Sequence, residues 1–141
     1  MSLSIANSPS TSFDRKGVSN AFKALSDQTR LRMLRLLVST GSELCVCEFV
    51  DTLQERLYNI SKHLKVLEQA GLIQGTKEGR WVYYRVVEAK DAVGEALHRL
   101  VNSVPDVDEM FATDKERFTK RMKLREDGRC QVGVQTTHLA E

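Results

Sequence analysis

The middle of the chain decides its fold, because residues 43–86 read ELCVCEFVDTL, QER, LYNISKHLKVLEQA, GLIQGTKEGR and WVYYRV. The first segment predicts a short helix over residues 43–53, and the next three residues fit only a tight turn. A second helix is predicted over residues 57–70, because its apolar residues share one face and Gly71 follows it. Its buried stripe is expected to contain Leu57, Ile60, Leu64 and Leu67. Two short helices about such a turn are typical of a helix-turn-helix.

After Gly71 the spacing of apolar residues changes from about four to two. Residues 72–76 and 81–86 are rich in aromatic and β-branched side chains, and the sequence KEG at 77–79 signals a turn between them. The pattern predicts a two-stranded hairpin, and a hairpin directly after a helix-turn-helix is a wing. The predicted fold class is therefore mostly α with a β-hairpin wing, a winged helix-turn-helix.

Further helices are predicted on both sides of this unit, because apolar residues recur there at a spacing of three to four. Two helices precede it, over residues 13–25 and 27–41. Two follow it, over residues 92–101 and 106–128, and the helix breaker Pro105 separates them.

Size and composition narrow the class of protein. A chain of 141 residues with 41% hydrophobic and 28% charged residues fits one compact domain and not two enzyme domains. No apolar run approaches the roughly 20 residues that a membrane helix needs. Residues 1–12 lack the basic start and the apolar block of a secretory signal. We therefore expect a cytoplasmic protein without a membrane partner, whose three cysteines are reduced.

Basic residues are concentrated around the second helix and the hairpin. Residues 54–90 contain seven Lys or Arg against four Asp or Glu, although the whole chain has a formal charge of only +2. A local excess of this kind marks a side that faces phosphates, so double-stranded operator DNA is the expected partner. The alternative is a polar face that is merely solvated. The candidate DNA contacts are Tyr58, Asn59, Ser61, Lys62, His63 and Lys65 on the helix, and Lys77 and Arg80 at the hairpin tip.

Cys45 and Cys47 lie two residues apart in the first short helix of this unit. Soft thiolates select thiophilic species, and a helix N-terminus lowers the pKa of a thiol. Residues two apart on an α-helix are about 200° apart around its axis, so both sulfurs could hold one ion only if that turn bent or unwound. Such a distortion would move the recognition helix and make inducer binding and DNA binding antagonistic. The alternative is that both cysteines are small apolar residues.

Several separated motifs carry a family resemblance: FKALSDQTRLRMLRLLV, ELCVCEF, ISKHLKVLEQAGLI and GRWVYYRV. Over residues 15–103 the chain resembles the ArsR family of winged-helix transcriptional repressors, and ELCVC resembles the metalloid-sensing helix of its arsenic-responsive members. The resemblance implies a homodimer, built by the first helix and the helix of residues 92–103. It also implies release of operator DNA when arsenite or antimonite binds the thiolates, with no required cofactor and no enzymatic activity.

These inferences define the expected domain organisation. Residues 1–12 are expected to be a disordered N-terminus, and residues 13–104 a winged helix-turn-helix domain for DNA binding and dimerisation. Residues 105–141 are expected to form a C-terminal helix and a flexible tail outside the family resemblance.

The arsenic-sensor pattern is incomplete on the first short helix. A third cysteine often follows three residues after the second, and this chain has Val50 there. The expected metal ligands are therefore Cys45, Cys47 and Cys130, the last recruited from the tail of the same subunit or across the dimer. Otherwise Cys130 is an exposed bystander or a disulfide partner. Of the zinc ligands that other members carry on the dimerisation helix, only Glu95 and His98 are present, an ordinary surface pair in our interpretation.

Other functions stay open at this point. Cadmium, lead and zinc also bind thiolates. The same cysteines could form a redox or reactive-sulfur switch, with Cys130 as the resolving thiol. A thiol oxidoreductase is disfavoured because the common redox motif has two residues between its cysteines. A pure protein-interaction module would leave the basic wing without a role.

Overall fold

The computed structural model describes residues 13–141, so the segment 1–12 that we predict to be disordered lies outside the described residues. The elements are, in chain order, α1 (Arg15–Leu25), α2 (Gln28–Thr40), β1 (Leu44–Cys45), α3 (Val46–Leu53), α4 (Leu57–Gln69), β2 (Ile73–Glu78), β3 (Trp81–Val86), α5 (Ala92–Ser103) and α6 (Met110–Met122), followed by a short 3-10 turn, Thr137–Leu139. The prediction of a mostly helical fold with a hairpin wing is confirmed.

The helix-turn-helix consists of α3 and α4. Gln54 ends α3 in the left-handed conformation, with a φ of 58°, and its N–H donates to the Val50 carbonyl at 2.9 Å. Arg56 is extended and begins α4 directly afterwards. The buried residues of α4 are Ile60, Leu64 and Leu67. Because these residues hold one face of α4 against the core, the opposite face is turned outward.

The wing belongs to an antiparallel sheet with the strand order β1-β3-β2. Glu78 pairs with Trp81, which leaves Gly79 and Arg80 as the turn, and Gly79 has the positive φ of 59° that this turn needs. β1 is paired with β3 through its residues 44 and 45. The prediction that the first short helix begins at residue 43 is therefore wrong, because these residues extend to bond the edge of β3 and α3 begins only at Val46.

The C-terminal helix is shorter than the predicted range of 106–128. The Asp106 carboxylate accepts hydrogen bonds from the N–H groups of Phe111 and Ala112, both at 2.9 Å, and so caps α6 from outside its first turn. After α6, Asp127 and Gly128 have φ values of 54° and 72°, as in a type I′ turn. This turn reverses the chain, and residues 130–136 are hydrogen-bonded to α3 and to the wing.

The buried apolar residues form two clusters of different size. The larger core includes Leu34, Phe49, Leu64 and Leu97 from four helices. The smaller cluster consists of Cys45, Cys47, Tyr83 and Cys130. In the described part of the chain, no helix has both the length and the apolar character to cross a membrane.

Candidate thiol centre and nucleic-acid interface

The three cysteines form one buried group, which we call the thiol centre: Cys45, Cys47 and Cys130. The Sγ atoms of Cys45 and Cys47 are 2.9 Å apart, and those of Cys47 and Cys130 are 3.6 Å apart. All three sulfurs lie within 4.8 Å of one another, and all three thiols are free. Among residues 13–141 this is the only group of three metal-ligating side chains at such distances.

The backbone at Cys45 explains how the first two sulfurs meet. Cys45 is the N-cap of α3, with an extended φ of −86° and ψ of 170°, whereas Cys47 lies in the first helical turn. The expected separation of about 200° applies only when both residues are helical. That expectation is wrong here because Cys45 belongs to β1. Both sulfurs can therefore meet one ion without unwinding of α3.

The tight turn at 127–128 brings the third sulfur back to α3. The backbone N–H of Cys130 donates to the Tyr83 hydroxyl of β3 at 2.8 Å, and the Cys130 thiol reaches the Val132 carbonyl at 3.1 Å. Cys130 is 2% exposed, so it is not a surface bystander. The Asp-Gly pair at 127–128 is a turn signal that the sequence contains and that our prediction of a helix to residue 128 missed.

The surroundings of the thiol centre favour the protonated form of Cys45 and Cys130, because they raise the pKa of both thiols. The hydrogen bond to the Cys47 sulfur raises the pKa of Cys45, and burial raises it further. Burial also raises the pKa of Cys130, and its hydrogen bond to Cys45 acts in the same direction. The expectation that a helix N-terminus lowers the pKa is therefore wrong for Cys45, because the shared hydrogen bond and desolvation outweigh the helix dipole.

Two buried ion pairs surround the thiol centre, and both join α3 to the C-terminal region. Arg125 donates to the two carboxylate oxygens of Glu48 at 2.7 and 2.8 Å, and the Glu48 Oε1 also accepts the Cys45 N–H at 3.0 Å. Arg121 donates through Nε to Asp51 at 2.7 Å. Our sequence reasoning missed these residues. Their only signal was the presence of acids among the buried positions of α3.

Three other positions that the sequence analysis considers do not belong to the group of three sulfurs. Val50 is buried in the larger core and not in the thiol centre, so the family's third-cysteine position packs against other elements here. Glu95 is exposed on α5, and burial lowers the pKa of the half-buried His98.

The predicted DNA contacts of α4 lie on its outward face. Tyr58 is 66% exposed, and the Lys62 ammonium lies over its ring at 5.2 Å from the centroid. At the wing tip, the Arg80 guanidinium lies over the Trp81 ring at 4.8 Å. The exposed candidates are Tyr58, Asn59, Ser61, Lys62, Lys65, Lys77 and Arg80. Within α4 this arrangement leaves hydrogen-bonding and cationic groups available to a duplex.

His63 differs from its neighbours because it is half-buried. Its Nδ1 lies 3.2 Å from a terminal nitrogen of Arg30, and burial lowers the pKa of its imidazole. Arg30 in turn donates to the carbonyl of Ala24 at 2.6 Å. His63 therefore links α4 to α2 through one side of its ring.

The winged helix-turn-helix, its exposed cationic helix face and its buried thiols define a DNA-binding regulator. The family model described as "Bacterial regulatory protein, arsR family" matches residues 27–74. An HTH-type transcriptional regulator from Methanocaldococcus jannaschii is 45% identical over 76 residues, which are 54% of this chain and 82% of that protein. The chain belongs to the arsR family, and it is a transcriptional repressor of that family and not an enzyme.

The relatives differ in the resistance for which they are named. The arsenical resistance operon repressor of Escherichia coli K12 is 45% identical over 65 residues, covering 46% of this chain and 55% of that protein. The cadmium resistance regulator CadC of Listeria innocua is 36% identical over 85 residues, covering 60% and 71%. Among solved structures, reduced HlyU from Vibrio cholerae N16961 has a TM-score of 0.51 at 31% identity, covering 60% of this chain and 88% of that one.

Proposed function

We propose that this repressor is released from its operator when a trivalent metalloid, arsenite or antimonite, is bound by Cys45, Cys47 and Cys130. The single observation that supports the proposal is the convergence of three buried sulfurs within 4.8 Å inside one subunit. Three sulfurs at the corners of a small triangle suit a trivalent thiophilic ion, because such an ion binds all three of its ligands on the same side.

The protonation of the thiols favours arsenous acid over divalent cations. Arsenous acid exchanges its three hydroxyls for three sulfurs, and each departing hydroxyl takes one thiol proton to form water. The exchange leaves three As–S bonds, three waters and no net change in charge or in free protons. A raised thiol pKa at Cys45 and Cys130 therefore does not oppose this reaction.

Binding of a divalent cation to the same sulfurs would change both the number of free protons and the net charge of the site. Cadmium, lead or zinc would displace three protons and leave a buried complex with one negative charge. The two buried ion pairs of α3, Glu48 with Arg125 and Asp51 with Arg121, already neutralise each other. A buried net charge is costly unless it is paired, so a neutral trivalent complex suits this environment better.

Inducer binding at this point can act on two DNA-binding elements at once. Cys45 and Cys47 lie where β1 joins α3, and Cys130 is hydrogen-bonded to Tyr83 of the wing. One ion held by all three sulfurs would tie the junction of β1 and α3 to the wing through Cys130 and would so fix the position of α3 relative to the wing. Because the two ligands then favour different arrangements, linkage makes their binding antagonistic. A hundredfold loss of operator affinity requires about 2.7 kcal/mol of coupling.

We also propose that the repressor is a homodimer. Phe22 of α1 and Leu100 of α5 are 54% and 53% exposed, and Val93 of α5 is exposed as well. Large apolar side chains exposed on two helices are typical of a surface that another protein covers. A second copy of the chain suits the two half-sites of an operator.

Oxidation of the same thiols is the second candidate function. The sulfur distances of 2.9 and 3.6 Å favour it, because neighbouring thiols can be joined by an oxidant. The raised pKa values of Cys45 and Cys130 disfavour it, because the thiolate is the form that reacts. We therefore rank metalloid binding first.

Fluorescence anisotropy on the DNA upstream of the repressor's own gene tests the proposal. Arsenite should weaken binding by the native protein by about a hundredfold or more. Cys45→Ser, Cys47→Ser and Cys130→Ser should bind the DNA normally but lose the response. Lys62→Ala is the matched counterpart, since it should bind arsenite but hold DNA weakly. Release by peroxide or polysulfide without an arsenite effect would support the oxidation switch and contradict our proposal.

A further inference from the structure

The strap, residues 130–136, crosses the thiol centre, and one carboxylate of α3 accepts hydrogen bonds from two of its backbone N–H groups. The Gln135 backbone N–H donates to both Asp51 oxygens at 3.0 Å, and the Thr136 N–H donates to Asp51 Oδ1 at 3.0 Å. Asp51 is 7% exposed, so these bonds lie in a site that water reaches poorly. Charge-assisted bonds in such a site are stronger than neutral surface bonds.

The partner of Asp51 holds the middle of the same strap. Arg121 donates through Nη2 to the carbonyls of Val132 and Gly133, both at 3.1 Å, while its Nε bonds Asp51. Asp51 and Arg121 together therefore fix two N–H groups and two carbonyls of the strap. Among the described residues, no partner is found for the buried Arg121 Nη1.

The strap also covers the sulfurs. The thiols of Cys47 and Cys130 both reach the Val132 carbonyl, at 3.6 and 3.1 Å, and Cys130 is itself the first residue of the strap. All three thiols are buried. Separation of the strap from α3 would therefore uncover the sulfurs.

We propose that Asp51 is the positioning residue of the thiol centre: by holding the strap it places Cys130 against Cys45 and Cys47 and sets the rate at which thiol ligands enter and leave. The inference rests on the proposed function for the identity of the natural ligand. On this proposal, the opening of the strap, and not the chemistry at sulfur, is the slow step of exchange.

Pulse alkylation of the full chain with N-ethylmaleimide, read residue by residue by mass spectrometry, tests this role without any metalloid. Asp51→Asn should raise the alkylation rate of Cys130 about tenfold or more, because local opening becomes easier when charge-assisted bonds are lost. Gln135→Pro removes the N–H that bonds both Asp51 oxygens and keeps the Asp51–Arg121 pair. It should raise the Cys130 rate in the same direction.

Asp114→Asn is the matched control. Asp114 is buried and accepts hydrogen bonds from Arg32 of α2 at 2.8 and 2.9 Å, so this variant also breaks a buried ion pair made by α6, but Asp114 makes none of the strap's bonds. Its Cys130 rate should equal that of the native protein. A rate as fast as in Asp51→Asn would show general loosening and overturn the inference.

Arsenite dissociation supplies the second readout. With excess competing dithiol, the loaded Asp51→Asn and Gln135→Pro proteins should lose arsenite faster than the native protein and Asp114→Asn. If Asp51→Asn does not fold, Gln135→Pro decides alone. Native alkylation rates in a folded Gln135→Pro protein would overturn the inference. If the native protein binds no arsenite, the proposed function fails, while the alkylation rates still decide whether Asp51 holds the strap.

Discussion

Replacing Glu48 by Gln should cost the repressor about 3–5 kcal/mol of unfolding free energy, the usual result of breaking a buried ion pair from one side. Glu48 is 0% exposed, and its partner Arg125 is 13% exposed. Arg125 donates to both Glu48 oxygens at 2.7 and 2.8 Å. An amide in place of the Glu48 carboxylate would leave the Arg125 guanidinium without a counter-charge at a position that water hardly reaches. The pair therefore anchors the segment after α6 to the start of α3.

Urea unfolding followed by circular dichroism measures this cost, and the midpoint of thermal unfolding should fall by roughly 6–20 °C. Glu43→Gln is the matched control, because Glu43 also pairs with an arginine of the C-terminal region. That pair is 27% and 42% exposed, so its loss should cost less than about 1 kcal/mol. If Glu48→Gln were no more destabilising than Glu43→Gln, our view of the buried pair as the anchor would be refuted.

The same variant has a defined pH dependence. Burial acts to raise the pKa of Glu48, but Arg125 and the Cys45 N–H hold it below its ordinary value of 4.5. A depressed carboxyl pKa stabilises the fold fully above the unfolded value and loses that effect as the pH falls through the folded value. The stability difference between the native protein and Glu48→Gln should therefore shrink below about pH 4.5. A difference that stays constant down to pH 3 would contradict this assignment.

Three further predictions concern the wing, the DNA face and the inducer. Gly75→Ala should lower the free energy of unfolding, measured in urea, by about 1–3 kcal/mol, because a Cβ at residue 75 would lie 2.8 Å from Tyr84 Cε1 in the wing. A variant as stable as the native protein would contradict this close approach. Lys62→Ala should reduce the slope of log affinity against log salt by about 1 in DNA titrations, and an unchanged slope would remove Lys62 from the phosphate contacts. Cadmium affinity should rise by at least about a hundredfold per pH unit near neutrality, because cadmium must displace the protons of Cys45 and Cys130, whose pKa values are raised. Arsenite affinity should stay nearly constant, and parallel pH profiles for the two ligands would contradict the proton balance.

Much of the fold follows from local sequence signals. Three of its features depend on neighbouring residues alone. They are the three-residue break before Leu57, the buried stripe of α4 and the change in the spacing of apolar residues to two. Asp27 caps α2 as its position predicts, with its carboxylate 3.0 Å from the Arg30 N–H. Gly41 ends that helix with a φ of 66°. Such features could be predicted because each depends on a few adjacent residues.

For the thiol centre, the sequence predicted which cysteines take part but not the backbone conformation that brings them together. The three cysteines were identified, but the expected helical backbone at Cys45 was wrong, because the pairing of β1 with β3 is a contact between residues 45 and 83. Sequence periodicity does not report such a contact. The ion pairs of Glu48 and Asp51 were missed for the same reason, since their partners lie 77 and 70 residues away. The burial of these acids depends on contacts with α6 and with the residues after it, which a local sequence pattern does not report.

X-ray absorption at the arsenic edge of the arsenite-loaded native protein would test most directly whether one subunit supplies a complete three-sulfur site. We predict three sulfur neighbours and no oxygen for the native protein, and two sulfurs with one oxygen for Cys130→Ser. Two sulfurs and one oxygen in the native protein, or three sulfurs in Cys130→Ser, would contradict the assignment of Cys130 as the third ligand.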